Sequence, residues 1–322
     1  MGGAWRCVRA GRPLTSPQLV LAWLLLAHLL ADFVLQTEAI AGGKFGHGRP
    51  AWRALGIHSL IVAAVNAPLL LVFGLPGLAY VMLTTASHLL IDRDKIVLTL
   101  RRTAPHGAGS TASWVGITEE STEGAADPAV EMLAMTEATA DGTPFDRSWS
   151  PVPAALFAAD QLAHLAILFG LWLLLLSSTQ PVTGWVDVVN GLLRSADREV
   201  VSRAALLLVV LLDLAIVNVR AASLFVVTLV RAPRQRTPLA EVDGTPSPAR
   251  IGATIGILER LLICALMLAG AVATIGLVVA AKTLARFKQL DDREFAEYYL
   301  LGTLASVTIA VVSSLVAQAA LV

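Results

Sequence analysis

The stretch "QLVLAWLLLAHLLADFVLQ", residues 18–36, decides the fold class of this chain. Its length fits a lipid bilayer, which about 20 mostly apolar residues can cross as a helix. Its eleven Leu, Val and Phe residues favour insertion by about 5 kcal/mol, and the carboxylate of Asp32 opposes insertion by about 3 kcal/mol. We therefore predict that the segment inserts into the membrane, and that its polar residues His28 and Asp32 find partners on other helices.

The composition extends this prediction to the whole chain. Of 322 residues, 56% are hydrophobic and 15% are charged, and the mean hydropathy is +0.71. Soluble domains carry about 25% charged residues, so this chain is typical of a polytopic membrane protein. The net formal charge of +0 gives no reason to expect a nucleic-acid partner. The two cysteines, Cys7 and Cys264, are too few for a disulfide framework.

Seven apolar runs are candidate transmembrane helices. They cover residues 18–36, 54–75, 76–92, 155–176, 203–230, 261–281 and 299–321. The fifth run is too long for one straight crossing and contains Asp213, Asn218 and Arg220, so we expect it to include a tilted or broken extension. The prediction is an all-α, polytopic integral membrane helical bundle with about seven transmembrane helices, within a range of about six to eight.

Polar segments divide the chain into five parts. Residues 1–102 form an N-terminal membrane module, 103–150 a polar loop predicted to be disordered, 151–230 the central spans, 231–250 a Pro-rich loop, and 251–322 a C-terminal membrane module. Within the last part, the charged segment 282–298 is predicted to lie along the membrane interface. Glu259, Arg260, Lys282 and Arg286 are predicted to have a structural role, through an ion pair and snorkelling side chains, with substrate binding as the alternative.

The N-terminus has some features of a signal peptide. Arg6, Arg9 and Arg12 precede an apolar run that ends near "AIA" at residues 39–41. A signal peptide has a short, uninterrupted apolar region, whereas His28 and Asp32 interrupt this one before any cleavage site. We therefore predict that the segment is retained.

Three His/Asp pairs with a spacing of four residues lie inside the apolar runs. They are "HLLAD" at 28–32, "HLLID" at 88–92 and "DQLAH" at 160–164. A spacing of four places both residues of a pair on one face of an α-helix. Alternating helix directions bring the three pairs to the side of the membrane where the first span ends, together with the histidine that begins the second span. We call this side B. The predicted site consists of His28, Asp32, His58, His88, Asp92, Asp160 and His164.

This combination of residues favours a metal site. Two ligands one helical turn apart are the geometry that helical metal sites use. Imidazole with carboxylate suits Zn, Mn or Fe, and the lack of thiolate disfavours copper(I) and iron–sulfur clusters. We predict that the seven residues bind a divalent metal, with enough ligands for two ions. The alternative is that they form interhelical hydrogen bonds or a proton relay, which is the commoner role of a single such pair in a membrane.

These motifs resemble those of a known family. "HLLADFVLQT", "IHSL", "HLLID" and "DQLAH" resemble the N-terminal module of a bacterial membrane protein family known as domain of unknown function 3307. "IGILERLL" and "AAKTLARFKQLDDREFAEYYLLGTLAS" resemble its longer members. The resemblance implies a multi-pass protein of the bacterial inner membrane and implies no activity. Members of the family often have a second histidine after the first one of the second span, where this chain has only His58, in "HSLIVAA".

A more distant resemblance links the chain to membrane-bound metal-dependent hydrolases. These enzymes also carry His/Asp pairs on transmembrane helices and a His-Ser dipeptide, which His58–Ser59 matches here. The resemblance implies a hydrolase in which a divalent metal makes water more acidic. Asp32 or Asp160 would then act as the catalytic general base, and the substrate would be a lipid or a lipid-linked phosphate.

A second hypothesis uses the same residues without catalysis. The protein would then be a membrane carrier, or a metal- or proton-binding assembly factor. Basic residues near side B predict that this side faces the cytoplasm, with a collar for anionic lipid headgroups as the alternative. They are Lys44, Arg49, Arg53, Arg93, Lys95, Arg101 and Arg102. The expected partners are the bilayer and, under the first hypothesis, a lipid substrate, and the oligomeric state stays open.

Overall fold

The computed structural model describes residues 16–46, 48–103, 151–193, 197–230 and 248–322, and every regular element in these ranges is helical. This confirms the predicted all-α class for the described part of the chain. The predicted disordered loop lies outside the described residues except for Thr103, and so do the N-terminal arginines and most of the Pro-rich loop.

The described residues form both short and long helices. The first seven are α1 (Pro17–Leu29), α2 (Glu38–Gly43), α3 (Arg49–Asn66), α4 (Pro68–Phe73), α5 (Leu75–Thr103), α6 (Val152–Leu171) and α7 (Thr183–Leu192). They are followed by α8 (Arg198–Ile216), α9 (Ala222–Leu229), α10 (Pro248–Leu268), α11 (Thr274–Ala285) and α12 (Arg293–Leu321). Single π-helical turns extend α1 and α6, and a third joins α8 to α9; they are Leu30–Val34, Trp172–Leu176 and Val217–Ala221.

Five of the described helices are long and apolar enough to cross a membrane. They are Pro17–Val34, Val152–Leu176, Arg198–Leu229, Ile251–Leu268 and Phe295–Leu321. The chain is therefore a membrane-type protein, and the predicted count of about seven spans is not confirmed. The second predicted run, 54–75, is interrupted between α3 and α4 at Ala67, which is followed by Pro68. The third predicted run, 76–92, lies within α5, whose polar residues lower its hydropathy.

One prediction for the C-terminal module is wrong. The run 261–281 is not one span, because α10 ends at Leu268 and Gly270 has a positive φ of 74°. The interfacial position of segment 282–298 stays a prediction, and the segment is divided between α11, which ends at Ala285, and α12, which begins at Arg293. The side chain of Asp292 accepts a hydrogen bond from Phe295 N, and this N-cap fixes the new helix start.

Helices α10 and α12 run in the same direction. Arg260 of α10 contacts Ser306 of α12, and the later residue Met267 of α10 contacts the later residue Gln318 of α12. The connection that contains α11 therefore has to return to the side where α10 begins. In doing so it brings Lys282 into an ion pair with Glu259, which is the structural role predicted for these residues.

The fifth predicted span is one continuous helical segment rather than a broken one. Arg198–Leu229 contains 32 residues, and its irregularity is the π turn that holds Asn218 and Arg220. A π turn shifts the backbone hydrogen bonds from i→i+4 to i→i+5. The buried guanidinium of Arg260 donates from Nε to the carbonyl of Asn218 at 2.7 Å, so α10 holds this turn in place.

Helix α1 lies between two apolar clusters. One of its faces packs Ala22 and Leu26 against α8, α10 and α12, and another packs Leu24 against α4, α5 and α6. Large apolar side chains such as Leu90 and Leu162, which are 62% and 66% exposed, point away from the bundle. This arrangement leaves the polar residues of α1 facing the space between α3, α5 and α6.

Candidate metal centre

The structure places the seven predicted residues in one buried cluster, which we call the His/Asp cluster. Helix α1 with its π turn, α3, α5 and α6 each contribute to it. His58 is fully buried at 0% exposure, and the other side chains of the cluster are less than one-tenth exposed. The ring centroids of His88 and His164 are 4.1 Å apart, and those of His28 and His164 are 5.3 Å apart. Whether these residues bind a metal stays a prediction.

Four atoms at the centre of the cluster have the spacing of a ligand set. His58 Nε2 and His88 Nε2 are 2.9 Å apart, and Asp32 Oδ1 lies 3.3 Å from the first and 3.2 Å from the second. Asp92 Oδ2 lies 3.6 Å from His58 Nε2 and 4.0 Å from His88 Nε2. In a tetrahedral zinc site with bonds of about 2.0–2.1 Å, neighbouring ligand atoms are about 3.3–3.4 Å apart. We call these four atoms the central set.

The central set also has the chemistry that a cation requires. Asp32 Oδ1 and His58 Nδ1 are buried and form no hydrogen bond of good geometry, although Asp32 Oδ1 lies within 3.3 Å of His58 Nε2 and His88 Nε2. A buried polar atom without a partner costs about 1–3 kcal/mol. A cation among these atoms would satisfy Asp32 Oδ1, so the residues present fit a divalent metal.

His164 is held in the tautomer that a metal ligand needs. Its Nδ1 lies 2.9 Å from the backbone carbonyl oxygen of Asp160. Because a carbonyl only accepts, Nδ1 donates, and the lone pair of the neutral ring is on Nε2. His164 Nε2 is buried and has no hydrogen-bond partner. The second ring nitrogen of a metal-binding histidine makes this kind of bond to fix the orientation of the ring.

His28 is oriented by a residue that the sequence analysis did not single out. Its Nε2 lies 3.2 Å from Gln161 Oε1, so Nε2 donates to the amide oxygen. Its other ring nitrogen, Nδ1, is 3.9 Å from Asp32 Oδ2. Gln161 Nε2 in turn donates to Asp160 Oδ2 at 3.1 Å. Gln161 therefore connects the polar residues of α1 with those of α6.

The π turn changes the geometry of the first His/Asp pair. The sequence predicts that all three pairs share the face of a regular α-helix, which holds for the pairs on α5 and α6. Asp32 lies instead in the π turn Leu30–Val34, where successive residues are rotated less about the helix axis. Gln36 does not continue this face, because the helix ends before it and Gln36 Oε1 accepts from Lys44 Nζ at 2.8 Å.

Lys44 is part of the site rather than of a surface collar. The short helix α2 ends against α3, and Gly43 permits this approach, since an added Cβ there would lie 3.0 Å from Ala54 Cβ. The ammonium Nζ of Lys44 reaches 2.6 Å from Asp92 Oδ2, and its side chain is only 7% exposed. Burial lowers the pKa of Lys44, and the adjacent carboxylate of Asp92 opposes this shift.

Lys95 forms a second ion pair at the edge of the cluster. Its Nζ donates to Asp160 Oδ2 at 2.8 Å, and its side chain is 31% exposed, whereas that of Asp160 is buried. Asp160 Oδ1 is buried and has no hydrogen-bond partner. This pair therefore uses one carboxylate oxygen of Asp160 and leaves the other without a hydrogen-bond partner inside the cluster.

The groups that could hold a metal overlap. Among the residues that the structure describes, three sets of three offer ligand atoms within 4.8 Å of one another, and they are His28–Asp32–His88, His58–His88–Asp92 and Asp92–Asp160–His164. Because His88 and Asp92 each occur in two sets, the three sets are not separate sites. Seven ligands would be enough for two ions, but the overlap of the sets fits one ion at the centre of the cluster better.

Comparison with known proteins supports the family resemblance and adds no activity. No curated protein and no solved structure matches the chain. A family model described as "Protein of unknown function (DUF3307)" matches residues 20–124. The match ends before Asp160 and His164, and before the C-terminal stretches that resemble longer members. The matched residues, 20–124, include His28, Asp32, His58, His88 and Asp92, so five residues of the His/Asp cluster lie in the part of the chain that is similar to this family.

Proposed function

We propose that this protein is a metal-dependent hydrolase of the bacterial inner membrane that acts on a lipid or a lipid-linked phosphate. The observation that carries the proposal is the central set, with two imidazole nitrogens and two carboxylate oxygens at 2.9–4.0 Å from one another in the measured pairs. When bound, a divalent cation supplies positive charge that acidifies water and stabilises anionic phosphate oxygens.

Each residue of the cluster has a defined part in this proposal. The central set holds the cation, and His164 presents its Nε2 lone pair from the adjacent side. Asp160 is the better candidate for the general base, because its Oδ1 is free and a base has to accept a proton from water. Lys95 holds the other oxygen of this carboxylate and so fixes its direction. Asp32, the other predicted base, acts as a ligand.

The position of the cluster favours an amphiphilic substrate. Lys95 is partly exposed at one edge, while the outer surfaces of the same helices carry exposed leucines such as Leu90 and Leu162. A site buried in apolar helices but open next to a charged edge can receive a phosphate headgroup while acyl chains stay in lipid.

One observation favours the non-enzymatic alternative. A cavity of about 20 Å³ adjoins the histidines on the side away from Lys95 and is lined by the polar side chains of Asn66, Tyr80, Thr84 and Ser87. This volume accommodates about one water molecule. Tyr80, Thr84 and His88 are four residues apart on α5, so they extend the polar face deeper into the bundle. A polar face that continues beyond the histidines is a feature that a proton- or ion-conducting protein would need.

Metal analysis of protein purified in detergent tests the proposal. We expect about one Zn, Mn or Fe ion per chain in the wild type, and loss of that ion in the His88→Ala and Asp92→Ala variants. Asp187→Ala on the exposed side of α7 is the matched control and should keep the metal. A wild-type protein that is folded and binds none of these metals would refute the proposal.

A second step separates enzyme from carrier. The metal-loaded protein is incubated with a phospholipid panel, and released headgroup is measured by mass spectrometry. Release that depends on Asp160 supports hydrolysis. Bound metal without any released headgroup, combined with proton or ion flux in proteoliposomes, would favour the carrier.

A further inference from the structure

The buried charges of the His/Asp cluster do not cancel. It contains the carboxylates of Asp32, Asp92 and Asp160 and the ammonium groups of Lys44 and Lys95. With neutral histidines, which is the form that binds metals, one negative charge remains. Uncompensated charge in an apolar surrounding is costly, so a buried site that binds ions tends towards neutrality.

A divalent cation alone would overcompensate this charge. One such ion changes the cluster from one negative to one positive charge, and two ions would leave three positive charges. One ion and one monoanion together give a neutral cluster. Of the phosphate groups that lipids carry, a phosphodiester has a single negative charge at neutral pH, whereas a phosphomonoester has a charge of about −1.5 to −2.

We propose that the cluster binds one divalent cation and one phosphodiester, and that Lys44 and Lys95 bind the phosphate oxygens. This inference rests on the proposed function and narrows its substrate class. Lys44 directly follows the end of α2 and Lys95 lies on α5, and each ammonium donates to an oxygen of a cluster carboxylate. A lysine binds phosphate as a point charge that needs no fixed geometry.

Cation binding would release the inner lysine. Lys44 Nζ is bonded to Asp92 Oδ2, the same oxygen that belongs to the central set. A cation bound by this oxygen displaces the ammonium from it, because both are positively charged and compete for one acceptor. Lys44 then keeps Gln36 Oε1 as a partner and gains capacity for an anion. Lys95 is the outer lysine, through which the phosphate group would enter.

Binding measurements on the detergent-purified full chain test this inference. The probes are Mn²⁺ alone and then, with Mn²⁺ present, three phosphate compounds. Dihexanoyl phosphatidylglycerol is a diester, dihexanoyl phosphatidic acid is a monoester with the same chains, and inorganic phosphate distinguishes a soluble source. We expect the diester to bind the Mn²⁺-loaded wild type at least about 10-fold more tightly than the metal-free protein, and more tightly than the other two compounds.

The lysine variants make the inference specific. Lys44→Met and Lys95→Met should each weaken diester binding about 10-fold or more while Mn²⁺ still binds. Lys288→Met, which removes an exposed lysine at the 3-10 turn after α11, should change neither. Lys95→Arg keeps the positive charge and should retain diester binding. This variant tests the outer lysine if Lys95→Met does not fold.

The outcomes separate this inference from the proposed function. A wild type that binds no Mn²⁺, Zn²⁺ or Fe²⁺ overturns both. Mn²⁺ binding with diester affinity unchanged in both methionine variants overturns only the lysine site. Tighter binding of the monoester or of inorganic phosphate than of the diester overturns the assignment of the substrate class and leaves the metal site standing.

Discussion

Removing the inner lysine should destabilise the metal-free protein and make its stability more dependent on metal. In Lys44→Met the carboxylate of Asp92 loses its ammonium partner at 2.6 Å and stays buried, with a side-chain exposure of 9%. Removing one partner of a buried ion pair costs about 3–5 kcal/mol. For a chain of this length 1 kcal/mol corresponds to about 1.5 °C, so the midpoint of thermal unfolding should fall by about 4–7 °C.

A divalent cation should recover much of this loss, because it supplies the positive charge that Asp92 then lacks. The assay is thermal unfolding in detergent, in chelator and with Mn²⁺, for the wild type, Lys44→Met and the double variant Lys44→Met/Asp92→Asn. The double variant removes both charges, so in chelator it should be more stable than the single variant. A Lys44→Met protein as stable as the wild type in chelator, or a double variant no better than the single one, would refute the reasoning.

Three other substitutions probe the remaining parts of the structure. Gly43→Ala should push α2 away from Ala54, which lies 3.0 Å from the added Cβ, and should cost about 1–3 kcal/mol in thermal or denaturant unfolding. Arg260→Lys loses the simultaneous bonds to Asn218, Ser223 and Ser306 and should cost about 1–3 kcal/mol. Asp160→Asn should retain metal by elemental analysis but lose headgroup release about 100-fold or more.

Each of these predictions has a control on the same kind of element. Gly191→Ala has open space around the added Cβ and should not destabilise the protein. Arg203→Lys alters only an exposed ion pair with Glu199 and should leave the unfolding midpoint unchanged. Asp187→Asn should affect neither metal nor activity. Equal effects in a variant and its control would contradict the contact on which that prediction depends.

The location of the site was predictable because its signal is local. Histidine and aspartate four residues apart are unusual inside apolar runs, and the alternation of helix directions then assigns each pair to one side. The role of Lys44 in the site was not predicted, because this residue follows a span and its sequence context is that of any basic residue in a cytoplasmic loop. Its role depends on the packing of α2 against α3, which the absence of a side chain at Gly43 permits. The pattern of apolar residues does not predict this packing.

Other features of the fold could not be predicted from the sequence, and the reasons are physical. An apolar pattern does not reveal a π turn, because one extra residue per turn hardly changes the apolar period over five residues. The split of the run 261–281 depends on the backbone at Gly270, and a glycine inside an apolar helix does not always interrupt it. The predicted number of spans is not confirmed for a similar reason. The second and third predicted spans are interrupted or polar, so they have low hydropathy, and yet they contribute several residues to the site.

The place of α1 between two apolar clusters bears on how the protein is made. The ribosome delivers α1 before the helices against which it packs, and the insertion of α1 is only marginally favourable because of Asp32. Leu24 packs against α5 and α6, and Leu26 packs against α8 and α10, all of which are synthesised after α1. Biogenesis must therefore hold α1 within the translocation machinery, or let it enter and leave the bilayer reversibly, until these later helices have been synthesised.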